Sequence, residues 1–453
     1  MSSTTTTTDN DGRPSRTGTW VTASAHIITA VIGSGVLSLA WSIAHLGWVV
    51  GPASLIGFSL ITLFTSFLLA DAYHHPDGRR NYTYLDAVRA HLGGRRVQLC
   101  GLAQYSNLVG VTIGYTITAS ISMAAVGRPS DCSHVVDDEK CHWSTTLYMV
   151  VFGSVQLVLC QVPNFHKLTW LSILAAVMSV AYSVIGLGLS VATVAADGGG
   201  TREAATDSDA QKMWKIFIAI GDIAFAFAYS TVLVEIQDTL KSSPPEEKAM
   251  KRATFVGVGV TTVFYLLCGC VGYAAFGDST PGNLLSGSGF HHPVWLVNVA
   301  NVCVAVHLVG AYQVFAQPIF SFVETSCQQR WPDHAFLTAD HPITVTIPLL
   351  EDGPTATICH VNWFRLVWRS AYVAVTTVLA IAFPFFNVFL SLIGAASFWP
   401  LTVYFPIEMY IARAKVPRFS FRWTCLQALS FGCLLVSLVA AAGAVEGLVR
   451  SLR

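Results

Sequence analysis

Three groups of residues in this sequence have the type and spacing to do chemistry inside an apolar surround. The first is the step Gly33-Ser34-Gly35, set in the run AVIGSGVLSLAW and preceded by Ile32. Glycine costs roughly 1 kcal/mol against alanine in a helix interior, so two within three positions invite a break. A broken helix exposes backbone N–H and C=O groups that hydrocarbon cannot satisfy. Such a break survives only where protein buries it or where it lines a cavity. The half-helix restarting from Val36 offers free N–H groups and a positive dipole end, which suits a carboxylate. The competing reading is close packing of two helices through small residues, common among membrane helices.

The second group lies in IFIAIGDIAFAFAYSTVLVEIQD: Asp222, then Ala224, Phe225, Ala226, Phe227, Ala228, Tyr229 and Ser230. An acid at membrane depth marks a substrate or ion pathway; nearer a helix end it is simply hydrated. Gly221 is the strong helix breaker of this segment. The third group is two histidines. His26 precedes Gly33 by seven residues, about 10 Å along a helix, and His307 sits in VAVHLVGAYQ. Both read as buried, and imidazole titrates near neutral pH and shuttles protons. The plain alternative is a neutral ring hydrogen-bonded to a neighbouring helix. Asn107 and Thr112, in QYSNLVGVTIGY, are candidates for a pocket wall or for hydrogen bonds between helices.

These residues need long helices to hold them. The chain of 453 residues is 53% hydrophobic and 11% charged, where soluble domains carry about 25% charged residues. Its mean hydropathy is +0.55. It cannot cover itself with polar surface, so lipid is its solvent, and without a dense basic patch nucleic acid is not a partner. A crossing takes about 20 apolar residues. That length predicts eleven spans, near 19–45, 47–73, 97–126, 144–163, 168–196, 212–238, 253–276, 293–325, 365–383, 386–411 and 421–448. Residues 1–17 are polar and low in complexity and read as a disordered cytoplasmic tail without a cleaved signal peptide. Residues 18–411 form a ten-helix core; residues 412–453 add a peripheral eleventh helix and an external end.

Five crossings separate the glycine break from the Asp222 segment. Ten core helices with an interruption in the first of each five is the inverted-repeat layout of many secondary transporters. With the N-terminus inside, 19 of the 26 Lys and Arg residues fall on cytoplasmic segments, as the positive-inside rule requires. That orientation puts Cys132 and Cys141 in one external loop. An oxidising compartment favours their pairing there, against two free thiols in a mobile loop. The sequon at Asn81 falls inside and should stay unmodified.

Enzymatic motifs are lacking. The sequence contains no GxxxxGK[ST] phosphate loop, no HExxH, and no GxSxG at a strand–helix turn. A channel is a weaker fit, because no carbonyl-filter repeat or acidic ring pattern occurs. No cofactor or metal is called for. The sequence does not separate a carrier from a sensor built on a carrier scaffold.

The chain resembles the plant amino acid permeases of the amino acid/auxin permease family. The resemblance runs from about Gly18 to the last helix through GTWVTASAHIITAVIGSGVLSLAW, QYSNLVGVTIGYTITASISM, PNFHKLTWLSILAAVMSVAYS, GDIAFAFAYS, EIQDTLKSSPPEE and FFNVFLSLIGAASFWPLTVYFPIEMYIA. It implies proton-coupled amino acid import, commonly across the plasma membrane. Substrate would lie between the interrupted first and sixth helices. His26 and His307 match family histidines, and with Asp222 they are the candidates for carrying the proton. An importer of an aromatic weak acid such as auxin is the rival within the family. The family commonly has Gln at the position of His45, an acid at Val388 and Tyr-Ser at Phe227-Ala228, so this pocket wall should be more apolar.

Overall fold

The computed structural model describes residues 16–127, 145–161, 169–200, 208–285, 290, 293–339, 341–349 and 353–452. Helix α1 (Trp20–Val31) starts at a reciprocal cap in which the Thr19 hydroxyl accepts the Thr22 N–H and the Thr22 side chain accepts the Thr19 N–H. Such a cap satisfies two donors that a helix start leaves unpaired. The helix stops at Ile32, and Gly33 is extended (φ −130°, ψ −153°). A 3₁₀ turn over Ser34–Ser38 then leads directly into α2 (Leu39–Asp71). The first helix is therefore broken at the glycine step.

The chain continues through α3 (Tyr84–His91), α4 (Gly94–Gly127), α5 (Thr145–Leu159) and α6 (Thr169–Asp197). The second break separates α7 (Asp209–Ala226) from α8 (Ser230–Asp238). Then come α9 (Glu246–Phe276), α10 (Val294–Arg330), the short α11 (Ala335–Thr338) and a hairpin of β1 (His341–Leu349) with β2 (Gly353–Val361). Helices α12 (Trp363–Ala382), α13 (Phe386–Ser397), α14 (Phe405–Arg413) and α15 (Phe421–Ser451) complete the fold, with a π-helical turn over Phe398–Tyr404 joining α13 to α14.

Not all of the expected eleven spans appear as separate long helices. Among the described residues, nine stretches are long and apolar enough to cross a membrane, and α1 and α5 are shorter apolar helices. The reason is local. The expected boundary between the first and second spans is a sharp break within α2 at the single non-helical residue Gly47 (φ 80°, ψ 173°), a conformation essentially reserved for glycine. The expected fourth span keeps 15 described helical residues in α5. The expected boundary near Pro384 is present between α12 and α13. The hairpin was not anticipated. Its strands pair antiparallel from His341 opposite Val361 to Leu349 opposite Gly353, and their Thr, Val and Ile content suits a pleated ladder. Cys132 and Cys141 lie outside the described residues.

Helix α2 packs along α9, α10 lies against both α4 and α6, and α7 is held by α13, α15 and α2. Small residues set these distances. A Cβ on Gly443 of α15 would meet Phe217 of α7, and one on Gly269 of α9 would meet Ile43 of α2. The result places both helix breaks together in the interior.

Candidate functional site

The two breaks touch. A Cβ built on Gly35 would lie 3.0 Å from the Ala226 Cα and 3.1 Å from its Cβ, so only glycine lets the segments approach this closely. In the first break the Gly33 N–H donates to the Val31 carbonyl (2.9 Å) and the Val36 N–H to the Gly33 carbonyl (3.2 Å). The opening N–H groups of a helix have no partner within it, which leaves those of Ser34 and Gly35. They head a continuous helical run from Ser34 to Leu46, long enough to carry a useful dipole. In the second break the Ala228 and Tyr229 N–H groups fold back onto the Phe225 and Phe227 carbonyls (3.1 Å each).

Around this junction lies a small cavity of about 40 Å³. Ala30, Val31, Gly33, Ser34 and Gly35 form one side; Phe225, Ala226, Ala228 and Tyr229 form the facing side. Asn107, Val111 and Tyr115 of α4 and Phe315 of α10 close it. Tyr115 and Phe315 meet edge to face, with ring centroids 5.5 Å apart. The Tyr229 hydroxyl pairs with Ser66 (3.0 Å), fixing the ring on the wall. The combination is a small chamber of mixed polarity, with aromatic rings on its walls and free N–H groups at one end.

Of the residues singled out from sequence, Gly33, Ser34, Gly35, Asn107, Phe225, Ala226, Ala228 and Tyr229 line this cavity together. Four do not. Ile32 is packed into the core. Phe227 is fully buried, its ring against that of Tyr265 (5.5 Å). Thr112 binds the Val109 carbonyl (2.8 Å) and the Tyr372 hydroxyl (2.7 Å), tying α4 to α12. Asp222 is fully buried; its Oδ2 accepts from Asn387 Nδ2 (2.8 Å), and its Oδ1 has no hydrogen-bond partner among the described residues.

The histidines separate as well. His307 is buried, with Nδ1 2.8 Å from the Ala175 carbonyl of α6 and Nε2 without a hydrogen-bond partner among the described residues. His26 is exposed on α1 and not buried as expected. The buried stripe of α1 is Ala23, Ser24, Ile27 and Val31, and His26 falls on the other face. Sequence reasoning missed Val111, Tyr115 and Phe315. The first two had a signal, since Asn107, Val111 and Tyr115 recur at spacing four and share one helix face. It also missed Tyr265 of α9, whose hydroxyl donates to carbonyls at both breaks.

The far ends of α1 and α8 are stitched together. The Gly18 N–H donates to the Thr239 carbonyl and the Lys241 N–H to the Gly18 carbonyl, 3.0 Å each. Arg16 pairs with Glu246 (2.9 Å) and donates to Ser242 (2.5 Å). The Tyr73 hydroxyl donates to Asp238 (2.7 Å). Burial, and then that carboxylate, push the Tyr73 pKa well up, so the phenol keeps its proton. His74, Glu246 and Glu247 bring ligand-type atoms within 4.8 Å of one another. With Arg16 already on Glu246, they read as part of this ion-pair network and not as a metal centre.

The chain matches the family described as transmembrane amino acid transporter protein over residues 16–450. It belongs to that family. Among relatives of this transporter, amino acid permease 6 of Arabidopsis thaliana is 62% identical over 98% of this chain and 93% of its own length. Amino acid permease 1 of the same plant is 59% identical over 98% and 92%. Lysine histidine transporter-like 1, also from Arabidopsis thaliana, is 30% identical over 90% and 83%. The fold is also that of a solved structure, MhsT in complex with L-phenylalanine, with TM-score 0.54, 10% identity, and coverage of 95% of this chain and 99% of that one.

Proposed function

We propose that this transporter imports amino acids together with protons, binding the amino acid where the two helix breaks meet. Amino acid transport itself follows from family membership. The observation that carries the site is the junction of Gly35 with Ala226 beside a cavity headed by the free N–H groups of Ser34 and Gly35. Those groups hold the α-carboxylate; an anion at a helix start gains about 0.3–2 kcal/mol. The α-ammonium lies by carbonyls that the break frees on α1, such as that of Ala30, and by the Ala226–Tyr229 wall. The side chain faces Val111, Tyr115, Phe225 and Phe315, so neutral apolar side chains fit best.

The surrounding architecture is read as two inverted sets of five crossings, with α15 peripheral. The N-terminus is cytoplasmic, the C-terminus external, and the membrane is the plasma membrane. Three groups compete for the proton: Asp222 with its free Oδ1, His307 with its free Nε2, and His26 on the open face of α1.

Current and uptake in one cell decide the coupling. A zwitterionic amino acid should carry inward positive current that grows as external pH falls from 7.5 to 5.5 and persists when choline replaces sodium. Asp222→Asn, His307→Ala and His26→Ala are compared for pH dependence, and the carrier is the one whose loss flattens it. A current that disappears in choline at pH 5.5 rejects proton coupling.

A further inference from the structure

The carbonyl ends of α1 and α7 converge on one side chain. The Tyr265 hydroxyl lies 2.5 Å from the Val31 carbonyl oxygen and 3.3 Å from that of Ala226. Tyr265 is fully buried, and Val31 and Ala226 are 5% and 4% exposed. Each carbonyl belongs to the last turn of a helix that ends inside the protein, at the negative end of its dipole. Carbonyls freed in this way across a broken helix are where transporters commonly bind a coupling cation. Here a neutral O–H donor stands between them. It comes from α9, which packs along α1, and the Phe227 ring flanks it edge to face.

We propose that the Tyr265 hydroxyl is a built-in substitute for a bound cation. It pins the carbonyl ends of both broken helices, so the binding arrangement forms without sodium. A phenol O–H offers a fixed donor that cannot dissociate, so the two carbonyls gain a partner and the transporter gains no ion requirement at this point. The proposal makes Tyr265 a positioning residue, because it acts on the substrate only through the breaks. Its effect on affinity rests on the reading above that the breaks hold the amino acid.

Tyr265→Phe removes the donor and keeps the ring. In the variant the buried Ala226 carbonyl loses the Tyr265 donor and the Val31 carbonyl keeps only the Gly33 N–H, so a small monovalent cation becomes an available partner for the pair. Wild type and variant are purified into nanodiscs for thermal melting, and expressed in cells for amino acid uptake, with choline, lithium or sodium as the only cation. Wild type is expected to give the same melting temperature and KM in all three. The variant is expected to melt lower in choline and to show KM raised at least about fivefold, the scale of one unpaired buried carbonyl. Lithium or sodium should restore part of both. A purely structural role for the ring would give a loss that no cation relieves.

The proposal is overturned if neither the melting nor the uptake of Tyr265→Phe responds to sodium or lithium more than wild type does. If Tyr265→Phe does not reach the membrane, replacement of Tyr265 by p-aminophenylalanine keeps the ring and an N–H donor. That protein should show wild-type uptake in choline; lost or sodium-dependent uptake overturns the proposal. Wild-type uptake in choline reports on proton coupling, while only the difference between variant and wild type reports on Tyr265. Melting that becomes sodium-dependent with KM unchanged supports the cation substitution and rejects the breaks as the substrate site.

Discussion

Gly33 and Gly35 differ in their surroundings so sharply that one methyl group at each should have opposite effects. A Cβ on Gly35 would lie 3.0 Å from the Ala226 Cα and 3.1 Å from its Cβ, well inside the ordinary carbon–carbon separation of about 3.5–4.0 Å. The obstructing atoms include backbone at the second break, so the two segments must separate by several tenths of an ångström. Overpacking of this kind costs about 1–3 kcal/mol, or roughly a 5- to 150-fold loss of the closed junction. A Cβ on Gly33 would meet nothing within 4 Å, and its φ of −130° is open to any residue. Alanine there should stabilise the protein by about 0.4–1 kcal/mol through the unfolded chain. Its methyl group would stand in the cavity and compete with the carboxylate. Thermal melting in detergent and uptake at matched surface abundance separate the two effects. Gly35→Ala is expected to lower both the melting temperature and uptake; Gly33→Ala should raise or keep melting while raising KM. Equal destabilisation by both, or normal uptake by Gly35→Ala, would refute the junction as the site.

Ala228→Ser puts a hydroxyl on the cavity wall and should shift uptake toward smaller or more polar amino acids by a few-fold. Phe227→Tyr, away from the cavity, should change abundance and leave the selectivity order alone; a reversed pattern in competition uptake would misplace both residues. Glu246→Gln weakens the pair with Arg16, a charged hydrogen bond of about 1.5–3 kcal/mol. If the Arg16–Glu246 pair holds this end of the protein closed, efflux and exchange should rise about tenfold relative to uptake, and an unchanged ratio measured with preloaded vesicles rejects that role. Burial first, with the charge of Arg413, holds the His91 imidazole below the usual 6.5 despite its contact with the Ala72 carbonyl. The folded protein thus prefers the neutral ring, and the stability this contributes is present above about pH 6.5 and lost as pH falls below it. His91→Gln should flatten the decline in melting temperature between pH 7.5 and 5.5, and an unchanged slope would remove His91 from that decline.

The first break was legible because two glycines mark it in the sequence. The second was only partly so. Gly221 was its visible breaker, yet the helix ends at Ala226, in a Phe-Ala-Tyr context with no local reason to stop. What stops it is tertiary: Gly35 seats against Ala226, and Tyr265 takes the Ala226 carbonyl. Tyr265 lies 234 residues from Val31 and 39 from Ala226, so no pattern along the chain reveals it. Thr112 and Asn107 looked alike in sequence, but a single partner, Tyr372, draws Thr112 away from the cavity. The exposed position of His26 could have been read from the spacing of Ala23, Ile27 and Val31, which assigns the buried face elsewhere. The boundary at Gly47 was legible, but not that one residue alone makes it, because glycine serves equally well in a loop or at a kink.

The run from Ser34 and the rest of α2 meet at the single non-helical residue Gly47 and fold back on each other as one braced beam. Its arms are in contact, since a Cβ on Gly51 would lie 3.2 Å from Ile43. Helix α1 joins that beam only through Ile32 and Gly33. It is a lever of 12 residues, about 18 Å long at 1.5 Å per residue. A swing of about 10° at Gly33 moves its far end by roughly 3 Å, given that length. That displacement is enough to part Arg16 from Glu246. The same rotation leaves the N–H groups of Ser34 and Gly35 in place, because they ride on the beam and not on the lever. On the proposed binding mode, the protein would open a way out on one side while the carboxylate is still held, and release would become a second event with its own timing.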